Sequence, residues 1–562
     1  MDTKAYLKGK SSQGYEFFGP HKKEKGYIFR LLATNADEVY IMGDFNDWKK
    51  DKLRKYKTGV FSITIKEAKI NDRYQFIIKD KNGNLLKKID PYVRKIDTLE
   101  NCAIITDSSY KFKNKYINKG PINIYQVHLG SLLKNEDFKF IDLIRHAKAN
   151  NFTHIQLMPL TEHVNYKTMG FTSIGLFALS KRYGEIADFK NFVDLCHKEG
   201  IGVIVDLDLG KFDSSPYYLD NFDGENPYSY DYDDIKYNYF GDINFDFAKD
   251  LTKSYILSAA DYWINEYRID GINLTNIENI IYWQGDKTRG INESAYDFIE
   301  IFIEHIRNSK VLALASFNGI YDFDLPLDYC FDNSLRNIIS IMQKAPMLRD
   351  DYKREIYKLI NADNREKILG FSYIDSYLNE ASLAMKMYGS SDIKYRQLMS
   401  LFTLLYTLNS SKMLFMGDES ANLETFSIYQ PRNLENLNEE ALAFNKFSKD
   451  LTKLYLTNEA LHNSKAKIEL LDIEGYSIYA FKRSYKDSNL LIIVNLTDVE
   501  YKINNTYKLK EILNTEDLSY KGSGNINGLV NKGDYIKVMP FASLIFEIEK
   551  GWLISSFFIA LL

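Results

Sequence analysis

The stretch Asp188–Gly200, DFKNFVDLCHKEG, is followed almost at once by VIVDLDL at residues 203–209, and together they define the repeating unit of this chain. The first part has the apolar spacing of a helix and ends at Gly200, a residue type common just beyond a helix C-terminus. The second part is an apolar run with no polar alternation, which is typical of a strand buried on both faces of a parallel sheet. The pair therefore predicts an α/β unit.

The same alternation extends in both directions along the chain. Between about residues 118 and 461, helical segments separate the strand-like runs INIYQVHL, THIQLMPL, VIVDLDL, RIDGINL, VLALA, LDYCF, ILGFSYI and KMLFMG. Eight such units predict a (β/α)8 TIM barrel. An open Rossmann sheet is the alternative, but the first strand–helix turn has no glycine-rich fingerprint.

Short strand-like segments flank this central region on both sides. Before it, YIFRLLA, RYQFIIKD and the NG turn in KDKNGNLLKK predict a β-sandwich that contains a hairpin. After it, NLLIIVNLT and SLIFEIE predict an all-β domain. We therefore divide the chain into an N-terminal β-sandwich, the barrel, a C-terminal all-β domain and an apolar tail, at residues 1–115, 116–461, 462–550 and 551–562.

The composition is that of a soluble globular protein, with 562 residues, 45% apolar and 26% charged. A net charge of −4 and the lack of a Lys/Arg stripe argue against a nucleic-acid partner. Cys102, Cys196 and Cys330 show no CxxC spacing, which argues against a zinc site or disulfide framework and favours a reducing compartment such as the cytoplasm. The first residues contain no apolar signal-peptide core.

The last twelve residues, GWLISSFFIALL, are strongly apolar. They are too short to span a bilayer, which needs about 20 residues, so we expect no membrane attachment. The segment could pack on the body of the protein, bind a partner or be a translation-boundary artefact, and the sequence leaves all three open. We expect a monomer.

Polar residues at the strand ends are the candidates for chemistry, because barrel active sites lie at the C-terminal ends of the strands. Arg268 and Asp270 in RIDGINL are two residues apart and so share one face of a strand. An Arg beside a carboxyl group lowers its pKa and keeps it ionised, as a nucleophile requires; a structural ion pair is the alternative. Further strand-end candidates are Glu162, His163, Asp206, Asp208, Lys211, Ser316, Tyr373 and Asp375.

Several motifs occur in an order that resembles a known family. GDFNDW, IYQVHLGS, THIQLMPLTEH, EYRIDGINL and KMLFMGDE resemble bacterial 1,4-α-glucan branching enzymes, of glycoside hydrolase family 13 in the α-amylase superfamily. The resemblance extends over nearly all of residues 14–550. It implies an N-terminal sandwich like carbohydrate-binding module 48, an α-glucan such as glycogen or amylose as partner, and no cofactor or metal.

The resemblance also implies a retaining double displacement that transfers α-1,4 glucosyl chains to α-1,6 positions in glycogen metabolism. Such chemistry uses a nucleophilic carboxylate and a carboxylic acid about 5–5.5 Å apart. By resemblance the nucleophile falls on Asp270, its Arg on Arg268 and an early strand-3 carboxylate on Asp206. These three positions keep the family's residue types.

Other family positions have lost theirs. The general acid falls on Ser316, which has no titratable proton near neutrality, and a carboxylate that stabilises the transition state falls on Ile374. Losing an acid–base group costs about 10²–10⁴ in rate, and losing electrostatic stabilisation costs several kcal/mol more. Further substrate-binding positions fall on Lys211, Tyr373, Phe171 and His163.

The sequence therefore predicts a weakly active or inactive glucan-binding relative of the branching enzymes. The first alternative is an active branching enzyme or α-glucan hydrolase with a relocated acid or base, for which Asp322, Asp324 and Asp375 are close in sequence. The second alternative is a scaffold or interaction protein that uses the barrel and the apolar tail.

Overall fold

The computed structural model describes residues 1–118, 120–317, 324–362, 365–377, 380–434 and 437–549. The apolar tail at 551–562 and Asp322 therefore lie outside the described residues.

The N-terminal region contains the two packed sheets that its sequence predicts. One sheet has the spatial order Gly19–Lys22, Tyr27–Leu32, Val60–Ile65 and Arg54–Lys55. The other has the order Asp51–Lys52, Glu38–Gly43, Arg73–Lys79, Cys102–Ile104 and Ile96–Asp97, with Leu85–Lys88 also paired to Arg73–Lys79. The last pairing is antiparallel and confirms the hairpin predicted from the NG turn.

A closed barrel of eight parallel strands forms the centre of the molecule. Its strands, labelled β1 to β8, are Asn123–Val127, His154–Leu157, Gly202–Leu207, Gly271–Leu274, Leu312–Ser316, Tyr329–Asp332, Lys367–Gly370 and Ser411–Phe415. Because β1 pairs with both β2 and β8, the sheet closes on itself. This pairing confirms the predicted barrel and rules out the open Rossmann sheet.

The longer helices of the barrel surround the strands. Labelled α1 to α8, they are Phe140–Ala149, Ile186–Lys198, Asp250–Tyr267, Glu293–Asn308, Leu335–Met342, Lys353–Asn361, Ser391–Thr407 and Glu439–Thr457. At the end of α2, Gly200 has φ +75°, and its N–H donates to the His197 carbonyl at 3.1 Å. The helix thus ends on the glycine that the sequence indicated, and the chain enters β3 directly.

The barrel interior changes from apolar to polar along β1, β3 and β5. The N-terminal half is filled by Ile122, Ile124, Ile204, Leu314, Phe331, Ile368 and Met413. Two residues further along β1, β3 and β5, on the same face, stand Gln126, Asp206 and Ser316. The C-terminal end of the barrel therefore opens onto polar side chains above an apolar floor.

The C-terminal region is all β, as predicted. Its larger sheet has the order Lys467–Leu471, Ile478–Tyr485, Ser488–Asn495, Ser543–Ile548, Leu509–Asn514 and Leu529–Val530, and a smaller sheet pairs Tyr501–Asn504 with Tyr535–Val538. This region packs directly on the barrel through α7. Ser400 of α7 donates to the Phe541 carbonyl at 2.7 Å.

Candidate functional site

A pocket lies at the C-terminal ends of the barrel strands; the space that protein atoms leave free in and around it, solvent at its mouth included, is about 510 Å³. We call its polar lining residues the polar wall: Gln126, Gln156, Asp206, Asn273, Thr275, Asn276, Ser316, Asn333 and Ser372. We call the mainly apolar lining residues the apolar wall: Phe171, Phe317, Phe331, Ile368, Tyr373, Ile374 and Met413. Among these described lining residues, Asp206 alone carries a carboxyl group.

Asp206 is buried near the end of β3 and is held by amides. Gln156 Nε2 and Asn273 Nδ2 donate to its Oδ1 at 2.8 and 2.7 Å. Burial raises the pKa of Asp206 to about 7, although both hydrogen bonds act in the opposite direction. No Lys, Arg or His stands among the described residues that line the pocket, so Asp206 has no cationic partner in this wall.

A second buried carboxyl group, Asp208, follows two residues later. It accepts hydrogen bonds from Asn276 Nδ2 and from the Gly210 N–H, both at 3.2 Å. Burial raises the pKa of Asp208 to about 6, and Lys211 is the largest influence that lowers it. Asp208 does not line the pocket itself, but its partner Asn276 does.

β4 presents an amide and a hydroxyl to the pocket. Asn273 Nδ2 lies 3.5 Å from Ser316 Oγ as well as bonding Asp206. In the described part of the chain, Thr275 Oγ1 is buried and has no hydrogen-bond partner. The inward-facing residues of β4 therefore offer no carboxylate to the pocket.

The apolar wall is built around two stacked rings. The Phe171 and Tyr373 ring centroids are 5.6 Å apart, with an interplanar angle of 25°. Tyr373 is fixed through its backbone N–H, which donates to Gln126 Oε1 at 2.9 Å. Ile374 follows on the same 3-10 turn, Tyr373–Ser376, and also lines the pocket. The structure therefore brings Phe171, Tyr373 and Ile374 together with Asp206 and Ser316.

Asp270 does not reach this pocket, contrary to the sequence-based placement. It precedes β4, at the N-terminal end of the barrel, and Thr275 at the opposite end is about 16 Å further along the strand at about 3.3 Å per residue. The β4 side chains that point inward are Asn273 and Thr275, so parity directs Asp270 outward. Its Oδ2 accepts from His197 Nε2 of α2 and from the Val203 N–H, both at 2.8 Å.

Arg268 is also remote from the pocket. It is the C-cap of α3, with φ 54° in the left-handed region, and its guanidinium lies 4.6 Å from the Phe112 ring centroid. Both Arg268 and Asp270 lie on the turn between α3 and β4 instead of at the C-terminal end of a strand. Neither residue can contact a molecule bound in the pocket.

Neither Lys211 nor His163 lines the pocket. Lys211 forms an ion pair with Asp242 at 2.7 Å. His163 is fully buried, its Nδ1 lies 3.0 Å from the Thr161 carbonyl, and its ring stacks on Tyr166 at 6.3 Å. The predicted contact between His163 and a bound sugar therefore has no support in this arrangement.

The residues that the sequence did not single out are mostly amides. Gln126, Gln156, Asn273, Asn276 and Asn333 line the pocket but lack the charge that draws attention in a strand-end survey. Strand parity could have identified them in the sequence, provided that the bounds of each strand were assigned correctly. GINL is the buried strand, so position 275 stands at its C-terminal end and position 270 before its start.

Removing the Asp270 carboxylate tests this assignment. Asp270→Ala should lower the free energy of unfolding by about 2–4 kcal/mol, because the Val203 N–H and His197 Nε2 lose their acceptor in a buried site. Affinity for any pocket ligand should stay within about twofold of wild type, as ligand titration would measure. Thr275→Val is the matched change at a position that faces the pocket. A loss of ligand binding in Asp270→Ala without a loss of stability would contradict the assignment.

Both the N-terminal sandwich and the whole chain are similar to known proteins. Residues 17–93 match carbohydrate-binding module 48, the isoamylase N-terminal domain. The 1,4-alpha-glucan branching enzyme GlgB of Geobacillus stearothermophilus is 30% identical, over 94% of this chain and 91% of that protein. The GlgB of Bacillus subtilis strain 168 is 28% identical, over 94% of this chain and 92% of that protein.

Solved structures share the architecture at lower identity. The pullulanase of Anoxybacillus sp. LM18-11 complexed with maltotetraose has a TM-score of 0.75 at 14% identity, over 98% of this chain and 90% of that chain. The pullulanase of Bacillus acidopullulyticus has a TM-score of 0.74 at 14% identity, over 94% of this chain and 74% of that chain. At this identity the likeness shows the fold alone.

The branching-enzyme relatives, the matched module and the closed barrel together define a multidomain glycoside hydrolase family 13 protein of the α-amylase type. Within that class, the chain belongs to the 1,4-α-glucan branching enzyme family. No helix in the described part of the chain is both long and apolar enough to cross a bilayer.

Proposed function

We propose that this chain binds α-glucan at the barrel mouth and supports little or no glucosyl transfer. One observation carries the proposal: Asp206 is the single carboxyl group among the described residues that line the pocket. Retaining glycosyl transfer needs two carboxyl groups about 5–5.5 Å apart, one as nucleophile and one as acid. Asp270 lies at the other end of the barrel, so Asp206 has no second carboxyl group beside it among the described lining residues, and this supports the proposal.

The hydroxyl groups in the pocket do not replace these functions. A Ser or Thr nucleophile needs an adjacent base, and Thr275 Oγ1 has no hydrogen-bond partner within the described residues. Ser316 contacts Asn273 Nδ2, an amide that can neither accept nor supply a proton near neutral pH. Ile374 offers no charge to an oxocarbenium-like centre. Asp206, with a pKa of about 7, could fill one of the two carboxyl roles, but the described lining residues offer no second carboxyl group for the other.

Glucan binding is supported by the chemistry of the walls. Amide and hydroxyl groups in the lining offer hydrogen bonds to sugar hydroxyls, and Phe171 and Tyr373 present apolar ring surface. The relatives are named as branching enzymes that act on 1,4-α-glucan, and a pullulanase of similar fold is complexed with maltotetraose. We therefore propose Asp206, Ser316, Phe171, Tyr373 and Ile374 as glucan contacts.

The test compares binding with turnover on one protein sample. We expect the purified chain to co-sediment with amylose, while iodine staining of that amylose shows branching at least about 10⁴-fold slower than for the Bacillus subtilis relative. Branching within about a hundredfold of the relative would refute the loss of activity. Absence of binding to amylose, glycogen and maltoheptaose would favour a scaffold or interaction protein instead.

A second candidate is glucosyl transfer or hydrolysis through Asp206 and Asp208. The pair has raised pKa values of about 7 and about 6 and is two residues apart on one side of the chain. Asp375 is a weaker replacement, because Arg336 Nε holds its Oδ1 at 2.7 Å and the Ser372 N–H donates to Oδ2. This candidate requires turnover that Asp206→Asn and Asp208→Asn each abolish, whereas Asp270→Asn leaves it intact.

We also propose the domain limits 1–115, 116–461 and 462–550, a cytoplasmic location and a monomeric state. The short helices Thr3–Tyr6 and Gly14–Phe17 support a close association of the first domain with the barrel. Ser254 and Ser258 of α3 bond the Tyr6 carbonyl and the Gly14 N–H at 2.8 and 3.0 Å. Limited proteolysis and sedimentation velocity would test the limits and the monomer.

A further inference from the structure

Two aromatic side chains project into solvent from a tight turn between β3 and α3. Tyr239 is 95% exposed and Phe240 is 81% exposed, and their ring centroids are 5.3 Å apart. Large apolar side chains that stay exposed add nothing to the folding free energy through burial, so a pair of them at one point suggests a contact made in function. We call residues 238–242 the aromatic tip.

The aromatic tip is held rigidly from below. The Asn238 N–H donates to the Asp242 carbonyl at 2.9 Å, and the Asn238 side-chain oxygen accepts from the Phe240 and Asp242 N–H groups at 2.9 and 3.0 Å. Tyr237 and Ile243 form an antiparallel bridge beneath the turn. Gln284 Nε2 donates to the Tyr237 carbonyl at 3.0 Å. The two rings therefore stand on a fixed support, which lowers the entropic cost of binding.

The tip adjoins the pocket through a short chain of contacts. Asp242 accepts from Lys211 Nζ at 2.7 Å and from Thr172 Oγ1 at 3.0 Å. Thr172 follows Phe171, which lines the pocket. Lys211 Nζ also lies 5.9 Å from the Phe240 ring centroid. A polymer leaving the pocket on this side would meet Lys211, Asp242 and then the two rings.

We propose that the aromatic tip binds glucose units of an α-glucan chain that extends beyond the pocket, an inference that rests on the function proposed above. Aromatic rings stack on the apolar faces of sugar rings, and the Lys211–Asp242 pair beside them can bond sugar hydroxyls. A protein partner fits less well. Two aromatic side chains bury about 150–250 Å² each, short of the about 800 Å² per partner of a stable protein interface.

The experiment uses the full-length chain and two maltooligosaccharides of different length. Maltoheptaose and maltotriose are titrated calorimetrically into wild type, the double variant Tyr239→Ser/Phe240→Ser, and the control Tyr535→Ser. Tyr535 is 63% exposed on the C-terminal domain, so its replacement removes a comparable ring elsewhere. All three substitutions are on the surface and should leave the thermal midpoint unchanged.

The double variant should bind maltoheptaose at least about tenfold more weakly, while maltotriose affinity and the Tyr535→Ser control stay within about twofold of wild type. Equal maltoheptaose affinity for wild type and the double variant would overturn this inference and leave the proposed function standing. Absence of binding of either sugar to wild type would overturn both. A wild-type dimer in sedimentation velocity that the double variant abolishes would assign the tip to self-association and overturn the inference.

Discussion

Asp206→Asn should stabilise the folded protein at alkaline pH, raising the free energy of unfolding of the barrel by about 4 kcal/mol at pH 9 and by nothing measurable below pH 4. Burial raises the pKa of the Asp206 carboxyl to about 7 from an ordinary value of 3.8. Each pKa unit corresponds to 1.36 kcal/mol, so the difference is about 4 kcal/mol. Urea unfolding of the barrel at several pH values, or the calorimetric midpoint, would measure it.

The direction of this pH dependence follows from whether the folded or the unfolded chain holds the Asp206 proton. Below about pH 4, Asp206 is protonated in both the folded and the unfolded chain and has no effect. As the pH rises from about 4 to about 7, the unfolded chain releases this proton first, so the wild type loses stability. Above about pH 7 both states are ionised and the folded state bears the full cost of the buried charge.

Asparagine keeps the local hydrogen bonds. Gln156 Nε2 and Asn273 Nδ2 both donate to the same oxygen, Oδ1, which the asparagine carbonyl reproduces. Burial also raises the pKa values of Asp90 and Asp208 to about 6 and of Asp418 to about 8, but these groups act equally in both proteins and cancel in the difference. The exposed Asp47→Asn serves as control. The prediction would be contradicted if the difference in free energy of unfolding between Asp206→Asn and wild type were the same at pH 4 and pH 9.

Most of the fold could be predicted from the sequence because its signals are local. The eight apolar runs, their spacing by helices and the glycine at the end of α2 report on buried strands and helix termini, and none of them depends on a distant residue. The hairpin between Arg73–Lys79 and Leu85–Lys88 is likewise set by its own turn. Closure of the barrel follows from the number of units and from their order.

The site was less predictable because its geometry depends on where each strand begins. In EYRIDGINLTN, the apolar positions fit a strand that starts at Ile269 or at Gly271, and a shift of two residues keeps the parity and moves the end of the strand. The sequence alone favoured the charged pair Arg268 and Asp270. The structure starts β4 at Gly271, so Asn273 and Thr275 take the places that face the pocket.

Charge was therefore a poor guide to this pocket. The polar residues that line it are amides and hydroxyls, with a single carboxyl group among the described ones. Such a wall is suited to hydrogen-bonding a neutral sugar and poorly suited to moving protons, since amides neither donate nor accept protons near neutral pH. The barrel and the amide-rich strand ends that line its pocket together support binding without chemistry as the proposed role.

Arg349→Ala should produce the largest loss of stability, at about 3–5 kcal/mol for the junction between the barrel and the C-terminal domain. Arg349 is fully buried after α5, and burial lowers the pKa of its guanidinium to about 10. It donates to the carbonyls of Met342, Lys344 and Leu496 at 2.7–3.1 Å, and to Gln397 Oε1. The alanine variant leaves these buried acceptors unpaired, and the desolvation cost of each is not recovered.

Because Leu496 follows a strand of the C-terminal domain while Met342 and Gln397 lie on barrel helices α5 and α7, the loss should be local to this junction. Amide hydrogen exchange of Ser488–Asn495 should accelerate by about 10²–10³-fold, which corresponds to 3–4 kcal/mol of opening free energy. Arg349→Lys should recover only part of the effect, since an ammonium cannot reproduce the planar fork. Arg145→Ala, which breaks an exposed ion pair to Asp142, should change exchange by less than about threefold. Equal exchange in Arg349→Ala and Arg145→Ala would show that the guanidinium does not hold the two domains together.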